Sequence, residues 1–176
     1  MITIGIVAAK SRSERFPGKN AFIHEGVPLF WHSVQALLDS RFVNDVFVAT
    51  DSEEISEFCQ EKGVGVIVRG ENARDTDEPL IDVLKYCVKS LDLSFDAVAT
   101  IMANCPNHRG SDVDAAVRAL ENNADLNEVR GFDQIGTETG LMVFRKNLIR
   151  SSFQISSHIG SITCDGYEVH YREDLR

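Results

Sequence analysis

The chain has 176 residues, of which 43% are apolar, and a formal net charge of −9 at pH 7. This length predicts a single domain over residues 1–176 with a substantial buried core, and the acidic charge disfavours general binding to nucleic acid. No apolar run approaches the ~20 residues that cross a bilayer, the N-terminus is typical of a strand rather than a signal peptide, and four scattered cysteines without metal-ligand spacing predict reduced thiols in the cytoplasm.

Short apolar runs alternate with helical patterns along the chain up to about Glu121. Predicted strands lie at Ile2–Val7, Val46–Thr50, Val64–Val68 and Ala97–Met102. Predicted helices begin near Pro28 and Asp51, follow the apolar stripe Leu80–Leu91, and cover Ser111–Leu120. Successive strand–helix units predict an α/β fold, with a mostly parallel sheet and helices on both of its faces.

The pattern is weaker beyond about Glu121. Gly140–Phe144 is typical of a strand, and Glu168–Tyr171 predicts a last short strand. Asp51 stands at the end of the second predicted strand, just before a predicted helix. We interpret it as a helix N-cap in preference to a ligand contact.

The loop between the first strand and the first helix concentrates positive charge in this acidic chain. Lys10, Arg12, Arg15 and Lys19 fall within ten positions. Ligands of parallel α/β sheets bind beyond the carboxyl ends of the strands, and a polyphosphate needs cations, hydroxyls and free backbone amides there. The loop lacks the glycines of a Walker A loop or a dinucleotide fingerprint. It is therefore either a different phosphate-binding loop or a solvated basic loop without function.

The order of residues in this loop resembles a known signature. The segment Ser13-x-Arg15-x-Pro17-Gly18-Lys19-Asn20 is similar to the N-terminal motif of the sugar-acid cytidylyltransferases, which include the CMP-sialic acid and CMP-KDO synthetases. Further similar segments follow in the family's order, at Gly26–Leu29, Val48–Ile55, Arg69–Leu84, Asn104–Asp114 and Glu168–His170. The resemblance is dense over residues 2–118 and thin beyond them.

The resemblance implies a Rossmann-like fold of the nucleotide-diphospho-sugar transferase type, similar to GT-A proteins. It implies transfer of a cytidylyl group from CTP to a sialic-acid-like sugar acid, with Mg²⁺ as cofactor and pyrophosphate as product. The implied catalytic residues are Lys10, Arg15 and Lys19. The implied nucleotide-binding residues are Ala8, Ala9, Lys10, Ser13, Arg15, Lys19, Asn20, Arg69, Asp75 and Thr76. The implied metal ligands are Glu168 and His170, which stand where the family has two aspartates.

The sequence departs from the family pattern in several places. Asn104 stands where the KDO branch has an aspartate, and His108 stands where an arginine is common. The imidazole of His170 is a poor ligand for a cation as hard as Mg²⁺. The chain is also short at about residues 121–140. Three polar residues there are either sugar contacts or solvated surface: Arg130, Gln134 and Glu138.

Three hypotheses follow from these observations. The first is an active cytidylyltransferase whose partners are CTP and a sugar acid, without nucleic acid or membrane and possible as a homodimer. The second is a nucleotide-binding homologue that lacks catalysis and acts as a regulatory or partner subunit, suggested by the altered metal carboxylates. The third is a transferase that uses another nucleotide or a small phosphorylated alcohol, because a triphosphate loop alone does not select the base.

Overall fold

A seven-stranded sheet forms the centre of this computed structural model, which describes residues 1–70, 78–150 and 158–175. The strands are β1 (Thr3–Ala8), β2 (Ile23–His24), β3 (Val27–Pro28), β4 (Val43–Thr50), β5 (Gly65–Val68), β6 (Ala97–Ile101), β7 (Glu128–Phe132), β8 (Glu138–Arg145) and β9 (Ile159–Thr163). The helices are α1 (Leu29–Leu38), α2 (Glu53–Glu61), α3 (Leu80–Ser90), α4 (Gly110–Asn122) and α5 (Lys146–Arg150).

The order of strands across the sheet is β5-β4-β1-β6-β8-β7-β9. Strands β5, β4, β1 and β6 are parallel, β8 is antiparallel to both of its neighbours, and β7 is parallel to β9. Strands β2 and β3 form a separate two-stranded hairpin. The predicted mostly parallel sheet is therefore confirmed, with β8 as the antiparallel exception.

The central strand β1 is buried on both faces because side chains of a strand alternate between the two sides of a sheet. Val7 packs in the core cluster that includes Phe30 of α1 and Leu120 of α4. Ile4 and Ile6 pack in a second cluster with side chains of α3 and α5. Helices thus cover both faces, as predicted, and leave the carboxyl edge of the parallel strands for the loops that follow them.

The start of α2 differs from the sequence interpretation. Ser52 caps this helix, since its hydroxyl accepts a hydrogen bond from the Ile55 amide at 3.3 Å. The interpretation of Asp51 as the N-cap is wrong. Its carboxylate instead accepts hydrogen bonds from the backbone amide of Ser11, at 2.8 Å, and from the Ser11 hydroxyl.

The later part of the chain also differs from expectation. The predicted strand at Gly140–Phe144 is present as part of β8, whereas β7 and β9 were not predicted. Glu168–Tyr171 is not a strand, so that prediction is wrong. Side chains, rather than a neighbouring strand, accept hydrogen bonds from backbone amides of this segment. The amides of His170 and Tyr171 both donate to the carboxylate of Asp174, at 2.8 and 2.7 Å.

All four cysteines are buried free thiols, in agreement with the sequence interpretation. Among the residues that the structure describes, none of the helices has the length and apolar character needed to cross a membrane.

Candidate active site

A cavity of about 330 Å³ lies at the carboxyl edge of the parallel strands, beside the basic loop. Most of the residues that the resemblance implied line it: Ala8, Lys10, Ser13, Arg15, Lys19, Asn20, Arg69, Glu168 and His170. Ala9 does not line it, because its side chain is fully buried in the core. Asp75 and Thr76 lie outside the described residues.

The basic loop is held in place at its base by the neighbouring strand. The Ala9 amide donates to the carbonyl of Ala49 at 2.9 Å, and the Thr50 hydroxyl donates to the carbonyl of Ala9 at 2.7 Å. The buried Asp51 then binds the backbone and the hydroxyl of Ser11. Because these bonds fix the backbone around residues 9–11, this part of the loop backbone needs little ordering when a ligand binds.

The end of the loop is fixed by a second set of contacts. The Asn20 side chain is buried and donates through Nδ2 to the carbonyl of Lys10 at 2.9 Å, which joins the two ends of the loop. Gly18 has a φ of 70°, a left-handed conformation that glycine adopts without steric cost. The short 3₁₀ turn Lys19–Ala21 begins immediately after it.

Four cations of the loop line the cavity: Lys10, Arg12, Arg15 and Lys19. Lys19 is half-buried, and its ammonium group donates to the carbonyl of Val169 at 3.0 Å. Burial lowers the pKa of Lys19, the nearby Arg15 guanidinium lowers it further, and Glu168 opposes both effects. The part of this pKa shift that comes from Arg15 reflects positive charge close to Lys19, which an anionic ligand would neutralise.

The segment after β9 closes one side of the cavity. Val169 is fully buried, and its amide donates to the backbone carbonyl of Asn104 at 2.8 Å. Its carbonyl accepts from the Asn104 side chain at 3.0 Å as well as from Lys19. These hydrogen bonds fix Val169, and its two neighbours, Glu168 and His170, line the cavity. Glu168 Oε2 lies 3.1 Å from His170 Nε2.

Another part of the cavity lining combines an ion pair with apolar side chains. The guanidinium of Arg69 is almost completely buried and donates to Glu78 at 2.9 Å. Leu80 and Val83 of α3 line the same wall. A wall of this kind suits a flat heterocyclic ring, because it offers apolar contact together with a few fixed polar groups.

The donor set at Glu168 fits one hard cation when phosphates are also present. Mg²⁺ binds oxygen ligands and usually takes one or two carboxylates together with substrate phosphates and water. Glu168 supplies a carboxylate, and the side chain of Asn104 carries a neutral amide oxygen in the same cavity wall. His170 is paired with Glu168 and offers only nitrogen, so Glu168 fits the metal and His170 does not.

A second cavity, of about 550 Å³, adjoins the same two chain segments. Pro106 and Asn107 line it just beyond Asn104, and Asp165 and Tyr167 line it just before Glu168. Gln134 lines this cavity, whereas Arg130 forms ion pairs with Glu128 at 2.7 Å and Glu138 at 2.8 Å.

His108 packs behind this second cavity rather than in it. Its side chain is buried, and Nε2 donates to the carbonyl of Thr139 at 2.7 Å. Burial lowers the pKa of His108, partly opposed by that carbonyl and by Asp112. A neutral imidazole here cannot replace the positive charge of the family's arginine.

Sequence reasoning missed several residues of the first cavity. Arg12 was recognised in the cationic cluster but not assigned to the site. Met102 and Ala103 also line the cavity, and no distinctive motif in the sequence marks them. The role of Asp51 in holding the loop has a sequence signal, since a carboxylate at the end of the adjacent parallel strand lies at the same sheet edge as the loop.

Comparisons with known proteins find relatives of this chain by sequence. The N-acylneuraminate cytidylyltransferase of Streptococcus agalactiae serotype III is 27% identical over 143 residues, which is 80% of this chain and 34% of that protein. The CMP-N,N'-diacetyllegionaminic acid synthase of Legionella pneumophila is 30% identical over 121 residues, covering 66% of this chain and 52% of that protein. The chain therefore spans about a third to a half of the length of these relatives.

The fold has a close match among solved structures. A CMP:2-keto-3-deoxy-manno-octonic acid synthetase solved in complex with CTP superposes with a TM-score of 0.84 at 15% identity, covering 99% of this chain and 95% of that one. This similarity supports the Rossmann-like, nucleotide-sugar-transferase type of fold. The model of the cytidylyltransferase family matches residues 4–154. The chain belongs to the cytidylyltransferase family.

Proposed function

We propose that this chain transfers a cytidylyl group from CTP to a sugar acid. The observation that carries the proposal is the concentration of four loop cations on one cavity in a chain of net charge −9. Charge-assisted hydrogen bonds to phosphate are among the stronger polar contacts that proteins make. The family match and the named activities of the relatives support cytidine as the base and a sugar acid as the acceptor.

The reaction makes one phosphorus–oxygen bond and breaks another. A hydroxyl oxygen of the acceptor bonds to the α-phosphorus of CTP, and the bond from that phosphorus to the bridging oxygen breaks. Pyrophosphate leaves with the bonding electrons, and the hydroxyl proton passes to solvent. Such a step depends on positioning and on stabilising negative charge more than on covalent help from the protein.

The loop residues supply that stabilisation in the proposed complex. Lys10, Arg15 and Lys19 neutralise the triphosphate, and the Ser13 hydroxyl donates to a phosphate oxygen. Since Asp51 and Asn20 hold the loop backbone in advance, the charges do not have to reorganise as the transition state forms. Arg69 and the apolar wall near it receive the base and ribose.

The proposal includes Mg²⁺ as cofactor, with Glu168 as its protein ligand. When bound, Mg²⁺ would supply Lewis-acid stabilisation of the negative charge that develops on the phosphates. Glu168 would hold the ion together with phosphate oxygens and water, and Asn104 offers a further oxygen. The partner of Glu168, His170, orients the carboxylate through their contact at 3.1 Å.

We place the hydroxyl-bearing part of the acceptor in the adjoining cavity of about 550 Å³, because the segments that flank it also flank the triphosphate site. Its carboxylate would then face the loop cations of the first cavity rather than the acidic lining of the second. A sialic-acid-like acid is our first expectation. The relatives named above act on acylneuraminate and legionaminic acid, as their names state. Asn107 and Gln134 are polar groups in this cavity that can bind sugar hydroxyls.

The test is release of pyrophosphate from CTP with Mg²⁺ and a panel of sialic, legionaminic, pseudaminic and KDO-type acids. We expect turnover with CTP and at least one acid, and much weaker turnover with ATP, GTP or UTP. Calorimetric titration of CTP with and without Mg²⁺ is run in parallel. Binding of CTP without turnover for any acid would contradict the transfer reaction and favour the non-catalytic homologue.

A further inference from the structure

A second group of potential metal ligands lies outside the triphosphate site. His24, Glu25 and His32 each offer one ligand atom, and these three atoms lie within 4.8 Å of one another. His24 ends β2, Glu25 occupies the turn of the β2–β3 hairpin, and His32 projects from α1. Among the residues that the structure describes, this is the one group of three or more His, Cys, Asp or Glu side chains with such spacing.

The hairpin and the helix are already joined by one of these residues. Nε2 of His32 lies 3.0 Å from the backbone carbonyl of His24. A carbonyl oxygen can only accept, so Nε2 carries the proton and the lone pair of the neutral ring is on Nδ1. Histidine ligands of metals commonly donate their other ring nitrogen to a carbonyl in this way, which fixes both tautomer and orientation.

The backbone at Glu25 has the conformation that the tight β2–β3 turn requires. Its φ is 48°, and it is the one non-glycine residue with positive φ among those described. The following Gly26 also has positive φ, at 86°, so the two residues form a tight turn that favours asparagine followed by glycine. A glutamate in this left-handed conformation is unfavourable by local sterics, so the turn holds the Glu25 carboxylate near the two histidines at some cost in stability.

We propose that His24, Glu25 and His32 bind a divalent transition-metal ion of the Zn²⁺ class. Two imidazoles and one carboxylate are typical ligands of Zn²⁺, with bonds of about 2.0–2.2 Å. Tetrahedral bonds of that length put the ligand atoms about 3.3–3.6 Å apart, and modest side-chain rotations would bring the three ligand atoms to that separation from the observed spacing. Nitrogen ligands disfavour Mg²⁺ and Ca²⁺, which require oxygen. The site is thus chemically different from the one proposed at Glu168.

The surroundings favour a cation and leave it accessible. His24 and Glu25 line the cavity of about 550 Å³, together with Asp133 and Asp165. No lysine or arginine is found among the described residues that line this cavity. Three carboxylates without a cationic partner in the wall give a negative potential that attracts a divalent ion. Three protein ligands leave a fourth position for water or another small ligand.

The proposal is tested by calorimetric titration of the full chain with Zn²⁺ in a buffer without nucleotide. We expect one Zn²⁺ per chain that excess Mg²⁺ does not displace. Glu25→Gln should weaken binding by at least about tenfold, because even partners outside the coordination sphere cost about ten- to hundredfold. Glu25 is exposed, so this variant should keep the fold, which circular dichroism checks. His24→Asn should have an effect similar to that of Glu25→Gln.

Matched controls separate this site from other histidines and from the nucleotide site. His158→Asn changes an exposed histidine outside the cluster, and His170→Asn changes the one paired with Glu168. Both should bind Zn²⁺ with wild-type affinity. Failure of the wild-type chain to bind Zn²⁺, or unchanged affinity in Glu25→Gln, would overturn the proposal. Neither result bears on CTP binding, which is measured separately.

Discussion

Replacement of Lys19 by alanine should weaken CTP binding more than any other single substitution in the first cavity. The ammonium group is half-buried between the basic loop and the Val169 segment. It has three donors, of which one is directed at the Val169 carbonyl, so two remain for phosphate oxygens. The buried position makes each of these contacts stronger than it would be in water.

The size of the effect follows from these contacts. A hydrogen bond to a charged group contributes about 1.5–3 kcal/mol, and the alanine variant also leaves phosphate charge unpaired in a partly dry cavity. We therefore expect a loss of about 2–4 kcal/mol in binding free energy. That range corresponds to an increase in Kd of about 30- to 700-fold, at 1.4 kcal/mol for each factor of ten.

Calorimetric titration of CTP measures this loss directly. Lys89→Ala is the matched control, because Lys89 is an exposed lysine in the last turn of α3 and does not line the cavity. The control should bind CTP like the wild type. If Lys19→Ala is folded as well as the control and its Kd for CTP lies within about twofold of the control's, the placement of the triphosphate beside Lys19 is refuted.

The pH dependence of binding gives a second measurement on the same residue. Burial and the Arg15 guanidinium lower the pKa of Lys19, so its charge is lost at a lower pH than that of an ordinary lysine. Bound phosphate favours the charged form and raises this pKa again, which means that CTP binding takes up protons in the alkaline range. Affinity should therefore fall as pH rises toward the free-state pKa. Lys19→Arg should remove that fall, since arginine stays charged.

Three further substitutions have defined outcomes. Asp51→Asn should lower the free energy of unfolding by about 1–3 kcal/mol and weaken CTP binding. The control is Asp92→Asn, which changes an exposed aspartate. Equal urea midpoints for the two variants would refute the role of Asp51 in holding the loop at Ser11. Glu25→Asn should raise the free energy of unfolding by about 1 kcal/mol, because asparagine tolerates the left-handed turn, and an unchanged or lower melting temperature would contradict this. Asn104→Asp should destabilise the chain by about 1–3 kcal/mol, since a carboxylate cannot donate to the Val169 carbonyl. A higher urea midpoint for this variant than for the wild type would contradict a stabilising role of the hydrogen bond between Asn104 and Val169.

The first part of the fold was predictable because its patterns are local. The β-branched run of β1 and the apolar stripe of α3 each specify an element by their own periodicity, and Pro28 marks the start of α1. Their alternation then determines a parallel sheet, whose carboxyl edge receives the loops. The position of the basic loop beside a cavity follows from that topology.

The later part was less predictable because its strands depend on distant contacts. Charged residues in β7 make its sequence look unlike a buried strand. Glu128 is nevertheless buried, and Arg130 forms ion pairs with it and with Glu138 on β8. The segment at Glu168 has a strand-like sequence but bonds mainly to side chains. The closure of the site by this segment is therefore visible only in the structure.

A crystal of the chain soaked with CTP and Mg²⁺ tests the central claim most directly. We expect triphosphate oxygens within about 2.7–3.2 Å of the ammonium groups of Lys10 and Lys19 and of the Ser13 hydroxyl, as direct hydrogen bonds require. Density for the triphosphate elsewhere, for example in the cavity beside Asp133, with the loop cations turned toward solvent, would contradict it.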